Sequence, residues 1–163
     1  MTVVITWDKH YRPDWDEYFI AMANLAATRG TCIRRKTGCI LVNKRHDIIG
    51  SGYNGRPSGA QHCILEPCSG ANLPSGQGLD QCEANHAEAN ALLRCRNVWE
   101  ISTAYCTHSP CIGCVKLLQN TSCQRIVFLH KYAHHDASKE LWERYPMTGR
   151  SWDLWQPLKN DHL

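Results

Sequence analysis

Two short patterns constrain this chain more than anything else in it: His86-Ala87-Glu88 and, further along, Pro110-Cys111-Ile112-Gly113-Cys114. Each stands where a helix is predicted to begin. The segment from Asn85 to Arg96 is rich in strong helix formers, and Cys111 to Asn120 reads as a second helix, with Pro110 suited to its first turn. A Cys-x-x-Cys pair at a helix start can aim both sulfurs at one ion, and the helix amides there favour the thiolates. One imidazole nitrogen and two thiolates form a donor set that zinc accepts, and three protein ligands leave the fourth position for water.

Glu88 gives this arrangement a use. A zinc ion draws the pKa of its water toward about 7. An attack by that water on an amidine-like ring carbon expels ammonia, which needs a carboxylate beside the metal but not ligated to it. Glu88 is read as that group. His-x-Glu followed by Pro-Cys-x-x-Cys is the known signature of zinc deaminases of nucleobases. The bland alternative makes His86 and Glu88 ordinary helix residues and Cys111 and Cys114 buried thiols. Either pattern alone would leave it standing; both together, in order and each opening a helix, outweigh it.

Asp14 is positioned to cap a helix carrying Tyr18, Phe19, Met22, Leu25 and Ala26 at helical spacing and ending near Arg29-Gly30. Residues 38–43 and 47–51 read as strands joined by a polar hairpin link that includes His46. Ile101 to Cys106 and Arg125 to Leu129 read as further strands. Ala137 to Tyr145 reads as a helix before a tail bearing Trp152 and Trp155. The order α-β-β-α-β-α-β-α predicts an α/β fold, a three-layer α/β/α sandwich on a mixed sheet. A chain of 163 residues is read as one domain, 1–163. Between about 52 and 82 there is no periodicity, and so long a loop needs something to tie it down.

Ten cysteines raise the question of disulfides. The N-terminus lacks a basic-then-apolar leader, and no apolar stretch approaches the about 20 residues that span a bilayer. We therefore expect a cytoplasmic protein with reduced thiols, several of them on metal, and no membrane contact. The net charge of +3 is mild and fits an anionic small ligand as well as weak nucleic-acid contact.

With these residues placed, the chain from about Trp15 to Tyr132 resembles the deoxycytidylate (dCMP) deaminases. The resemblance is carried by Thr31-Cys32-Ile33-Arg34-Arg35, Gly52-Tyr53-Asn54-Gly55, His62-Cys63, His86-Ala87-Glu88-Ala89-Asn90-Ala91 and Cys106 to Cys114. It implies the cytidine-deaminase-like fold, conversion of dCMP and water to dUMP and ammonia in supply of dTMP synthesis, and homohexamers activated by dCTP and inhibited by dTTP. It further implies that Asn54 hydrogen-bonds the nucleotide and that Tyr132 stacks on the base. Asn54 also fits a turn with Gly55, and Tyr132 core packing. A monophosphate needs a cation, and Arg34, Arg35 and Arg56 lie near the matching motifs. Gly55, Arg56 and Gly59 are expected to form the regulatory triphosphate site, where Mg2+ would accompany the nucleotide; a flexible loop is the alternative.

Cys32, Cys63, Cys68 and Cys82 are left over, and a similar set in many bacterial-type members implies a second, structural zinc, in which His62 could replace one thiolate. Two disulfides, or unliganded thiols, compete with that reading. Cys39, Cys95, Cys106 and Cys123 are expected to be small core residues. His130, His134 and His135 read as a solvated helix entrance, and His108 as a residue shaping the active-site approach. Two other functions compete: a deaminase acting on a base within nucleic acid, disfavoured because Lys and Arg are spread along the chain, and a non-enzymatic zinc-stabilised module, which gives Glu88 no purpose.

Overall fold

The structure, a computed structural model, describes residues 3–157; the remainder of the 1–163 domain reading lies outside them. Helix α1 (Trp15–Ala27) starts where Asp14 accepts the Glu17 amide at 2.8 Å, and it ends short of the expected Gly30. Strands β1 (Gly38–Val42) and β2 (Ile48–Tyr53) form the expected hairpin, whose turn holds His46 at φ 66° and stacks its ring on Trp15 at 4.4 Å. Then come α2 (Ala87–Arg94), β3 (Thr103–His108), α3 (Ile112–Gln119), β4 (Arg125–His130), α4 (His135–Glu143) and β5 (Ser151–Leu154).

The strands line up as β2-β1-β3-β4-β5, with β1 antiparallel to β2 and β3, and β3, β4 and β5 parallel. This is the expected mixed sheet between two helical layers, with β5 added in the segment expected as a tail. Alternation along each strand divides the core in two. Cys39, Leu41, Ala104, Cys106, Ile126 and Phe128 face α2, α3 and α4, joined by Trp142 and Trp152. Ile40, Val42, Tyr105, Val127 and Leu129 face α1. Cys39, Cys106 and Cys123 are fully buried, as expected of core thiols, and Cys95 packs against the same core from a half-buried position.

Two glycines let helices lie directly on strands. A Cβ at Gly38 would stand 2.1 Å from the Ala23 carbonyl of α1, and one at Gly52 would stand 2.4 Å from backbone atoms of Ala87 and Ala91 in α2. The second contact matters for function, because it seats the first turn of α2 on β2. Among the described residues no helix is long and apolar enough to cross a membrane.

Candidate active site

The chain after β2 fixes where α2 begins. Gly55 and Asn85 exchange backbone hydrogen bonds at 3.1 and 2.8 Å, so the residue before His86 is clamped to the strand end. Asn90 adds a 2.8 Å bond from its Nδ2 to the Tyr53 carbonyl. His86 and Cys111 are the N-cap residues of α2 and α3, both in extended backbone. Their side chains are thereby turned out of the helices and toward each other. Nδ1 of His86 lies 3.3 Å from the Cys111 sulfur and 3.5 Å from that of Cys114. Ligands at about 2.0–2.3 Å around one tetrahedral zinc are separated by comparable distances, so the three residues fit the ion. Among the described residues they are the one set of three or more His, Cys, Asp or Glu donors gathered within 4.8 Å of one another.

The electrostatics suit ligation. Hydrogen bonds from Cys114 and His86 bring the Cys111 thiol down to about 4, which makes its sulfur a thiolate at neutral pH. Glu88, in the first turn of α2, is 7% exposed, and burial raises its pKa. That shift places a proton-handling carboxyl nearer neutrality.

These groups open into a cavity of about 330 Å3. Asn54, Arg34, Arg35 and Tyr132 line it as well, so the expected substrate residues are brought together with His86, Glu88 and Cys111. Asn54 is held rigidly: its Nδ2 donates to the Arg35 carbonyl at 2.7 Å and its Oδ1 accepts the Thr37 amide at 2.8 Å. It is therefore a framework residue of the wall rather than the simple turn residue its neighbour Gly55 suggested. Tyr132 is placed by Ser109, whose hydroxyl accepts the Tyr132 amide at 2.7 Å.

The two neighbouring arginines separate. Arg34 donates to the carbonyls of Gly70, Gln77 and Pro74 at 3.1, 3.2 and 2.6 Å. It lines the cavity and at the same time clamps the long loop, whose residues 71–79 roof it. Arg35 lies with its guanidinium 5.4 Å over the Tyr132 ring and keeps a buried Nη1 without a protein partner. Arg56 is engaged elsewhere, donating to the Glu66 carbonyl at 3.2 Å and pairing with Glu83 at 2.9 Å. Gly55 is tied to Asn85, and of the expected regulatory trio Gly59 alone is open, at φ 91° with nothing near the place of a Cβ.

All ten cysteines are free. Of the second set, Cys63 and Cys68 have their sulfurs 3.9 Å apart in a small buried cluster with Ala71, and Cys32 and Cys68 both act electrostatically on Cys82. The four do not close to the distances of the first site. His62 is exposed. Among the remaining histidines, His134 binds the Gly76 carbonyl at 3.1 Å, which adds a second tie on the roof. His108, expected to shape the active-site approach, lines the cavity. Burial, with Arg35 and His130 nearby, brings its pKa down to about 4. Periodicity gives no sign of the roof residues; their stretch carries no repeat.

Comparison with known proteins bears on the same residues. The family model described as the cytidine and deoxycytidylate deaminase zinc-binding region matches residues 13–130. A protein of Mycobacterium phage D29 named deoxycytidylate deaminase is 44% identical over 124 residues, covering 72% of this chain and 95% of its own length. The deoxycytidylate deaminase of Schizosaccharomyces pombe is 39% identical over 126 residues, which are 75% of this chain. This chain spans only 39% of that yeast protein's length. The crystal structure of dCMP deaminase from the cyanophage S-TIM5 in complex with dCMP and dUMP superimposes with a TM-score of 0.68 at 26% identity, covering 90% of this chain and all of that one.

Proposed function

The chain belongs to the cytidine and deoxycytidylate deaminase family, and we propose that it is a zinc-dependent dCMP deaminase. The observation that carries this reading is the gathering of His86, Cys111 and Cys114 within 4.8 Å beside a cavity lined by His86, Cys111, Glu88, Asn54, Arg35 and Tyr132. When bound to those three ligands, zinc supplies water activated at neutral pH, its pKa lowered to about 7.

The chain's own residues do the rest. Tyr132 offers an aromatic face to the cytosine ring, and Asn54 fixes a polar group of the nucleotide from a wall that cannot shift. Arg35 supplies the cation for the 5′-phosphate. Glu88 takes a proton from water as the water oxygen adds to C4 and delivers it to ring N3; it then takes the proton of the new C4 hydroxyl and passes it to the amine as the C4–N bond breaks, so that dCMP and water become dUMP and ammonia. Free nucleotide, rather than a base within nucleic acid, suits a cavity roofed by a clamped loop. A panel assay of ammonia release from dCMP, CMP, deoxycytidine, dCTP and a tRNA anticodon stem tests the reading. The expected result is a strong preference for dCMP; preference for the tRNA stem would reject it.

The second zinc belongs to the same proposal. Cys63 and Cys68 are at sulfur–sulfur contact, and Cys32 and Cys82 drawn to them would close a four-thiolate site with no position for water. Such a site anchors the base of the loop that roofs the cavity. Metal analysis of protein purified without chelator is expected to find close to two zincs per chain, and one zinc would reject the site. A cytoplasmic homo-oligomer, regulated by dCTP and dTTP with Mg2+, remains part of the proposal. It rests on the family; an effector site would have to form around Gly59, given the ties on Gly55 and Arg56.

A further inference from the structure

We propose that His108 is a substrate-contact and specificity-determining residue: a neutral imidazole that presents its Nε2–H to the cavity and, with Arg35, receives the phosphate oxygens of the nucleotide. The proposal rests on the reading of the cavity as a nucleoside monophosphate site.

The hydrogen bonds behind the ring are compatible with this tautomer. Thr107 is 2% exposed, and its Oγ1 accepts the Gly38 amide at 3.1 Å. The one proton of that hydroxyl is then available to the acceptor beside it, Nδ1 of His108, at 3.1 Å. A neutral ring whose Nδ1 accepts carries its proton on Nε2. Burial, the Arg35 guanidinium and the His130 ring 5.0 Å away all disfavour a second proton. The backbone holds this arrangement in place. His108 ends β3 in register with His130 of β4, and strand alternation sends it to the face of Cys106, the one covered by α2 and α3.

Arg35 makes the donor meaningful. Its Nη1 is buried without a protein acceptor, and a guanidinium cannot shed its proton. A buried charged donor left unpaired is costly, and an anionic oxygen removes that cost. A neutral N–H beside it adds a second donor without adding a second positive charge. Both side chains line the same cavity as His86 and Glu88. The pair therefore favours a phosphorylated nucleoside over the bare nucleoside.

His108→Leu removes the donor and keeps the packing; His108→Gln returns an amide N–H close to the place of Nε2. In zinc-loaded enzyme, His108→Leu is expected to raise KM for dCMP roughly 10- to 100-fold, the usual worth of a hydrogen bond to a charged group. The loss should fall on KM rather than kcat and exceed the loss for deoxycytidine at least about tenfold, with His108→Gln restoring most of it. Long-range 1H–15N spectra, with His108 assigned by the signal missing in His108→Gln, should show the Nε2–H tautomer and a shift on adding dUMP. Equal loss on dCMP and deoxycytidine, no loss on dCMP, or an Nδ1–H tautomer would each overturn the proposal. If the wild-type chain releases no ammonia from dCMP, the reading of the cavity has failed by itself. The proposal then stands only if inorganic phosphate shifts the His108 signals, and falls if it does not.

Discussion

Glu88→Gln is expected to lower kcat for dCMP about 10⁴-fold while zinc content and melting temperature stay as in the wild type. Glutamine keeps the shape and a hydrogen-bonding oxygen at a position that is 7% exposed and seated on β2 through the Gly52 contact. What it loses is the proton. General acid–base catalysis is worth about 10²–10⁴-fold, and the upper end applies because every proton transfer of the reaction passes through this one carboxyl. Ammonia release measured alongside zinc by atomic absorption decides the matter. Activity retained within tenfold, with zinc present, would remove Glu88 from the chemistry and require another proton carrier beside the metal.

Trp142→Ala is expected to destabilise the protein by about 4 kcal/mol, the usual cost of deleting a large buried aromatic. Trp142 is fully buried on α4, donates from Nε1 to the Ser151 carbonyl at 2.8 Å, and carries the Arg150 guanidinium 5.0 Å over its ring. It thus joins the last helix to the last strand and closes the core around Phe128 and Trp152. Against a typical total of about 5–15 kcal/mol, that loss is a large share of the whole stability. Denaturant unfolding with an unchanged slope would give the value. A loss under about 1 kcal/mol would mean that the cavity collapses and that α4 is not structurally required.

The fold was legible wherever one face of an element is buried, because burial writes its period into the residues. α1 is of this kind, although the face it buries is Phe19, Ile20 and Ala23 while Tyr18 and Leu25 of the expected face are exposed; β4, buried on both faces from Ile126 to Leu129, was legible instead as a continuous apolar run. β5 was not legible. It is four residues long, Ser-Trp-Asp-Leu, and it owes its state to the free edge of β4 rather than to its own pattern. The metal-binding trio was legible because ligand chemistry fixes both residue type and spacing. The wall of the cavity was only half so. Arg34 and Arg35 are identical neighbours in sequence, and only the folded loop makes one a clamp and the other an unpaired donor. The Asn-Gly pair at 54–55 reads as a turn, whereas the side chain of Asn54 in fact locks Thr37 to Arg35 across the chain. His108 was legible as part of the active-site approach, but its contact with Thr107, which is itself tied to the remote Gly38, belongs to the fold alone.

The starts of the helices carry a final consequence. α1 opens in the ordinary way, with a carboxylate closing on an orphan amide, but α2 and α3 open on His86 and Cys111, neither of which makes a side-chain capping bond. Those two residues give up the usual protection of a helix end and turn outward instead. An ion bound between them would supply there some of the stability that a serine or aspartate cap contributes elsewhere. Metal loading would then steady the two helix starts as well as enable the chemistry, and metal removal would be felt first at the ends of α2 and α3 that face the cleft.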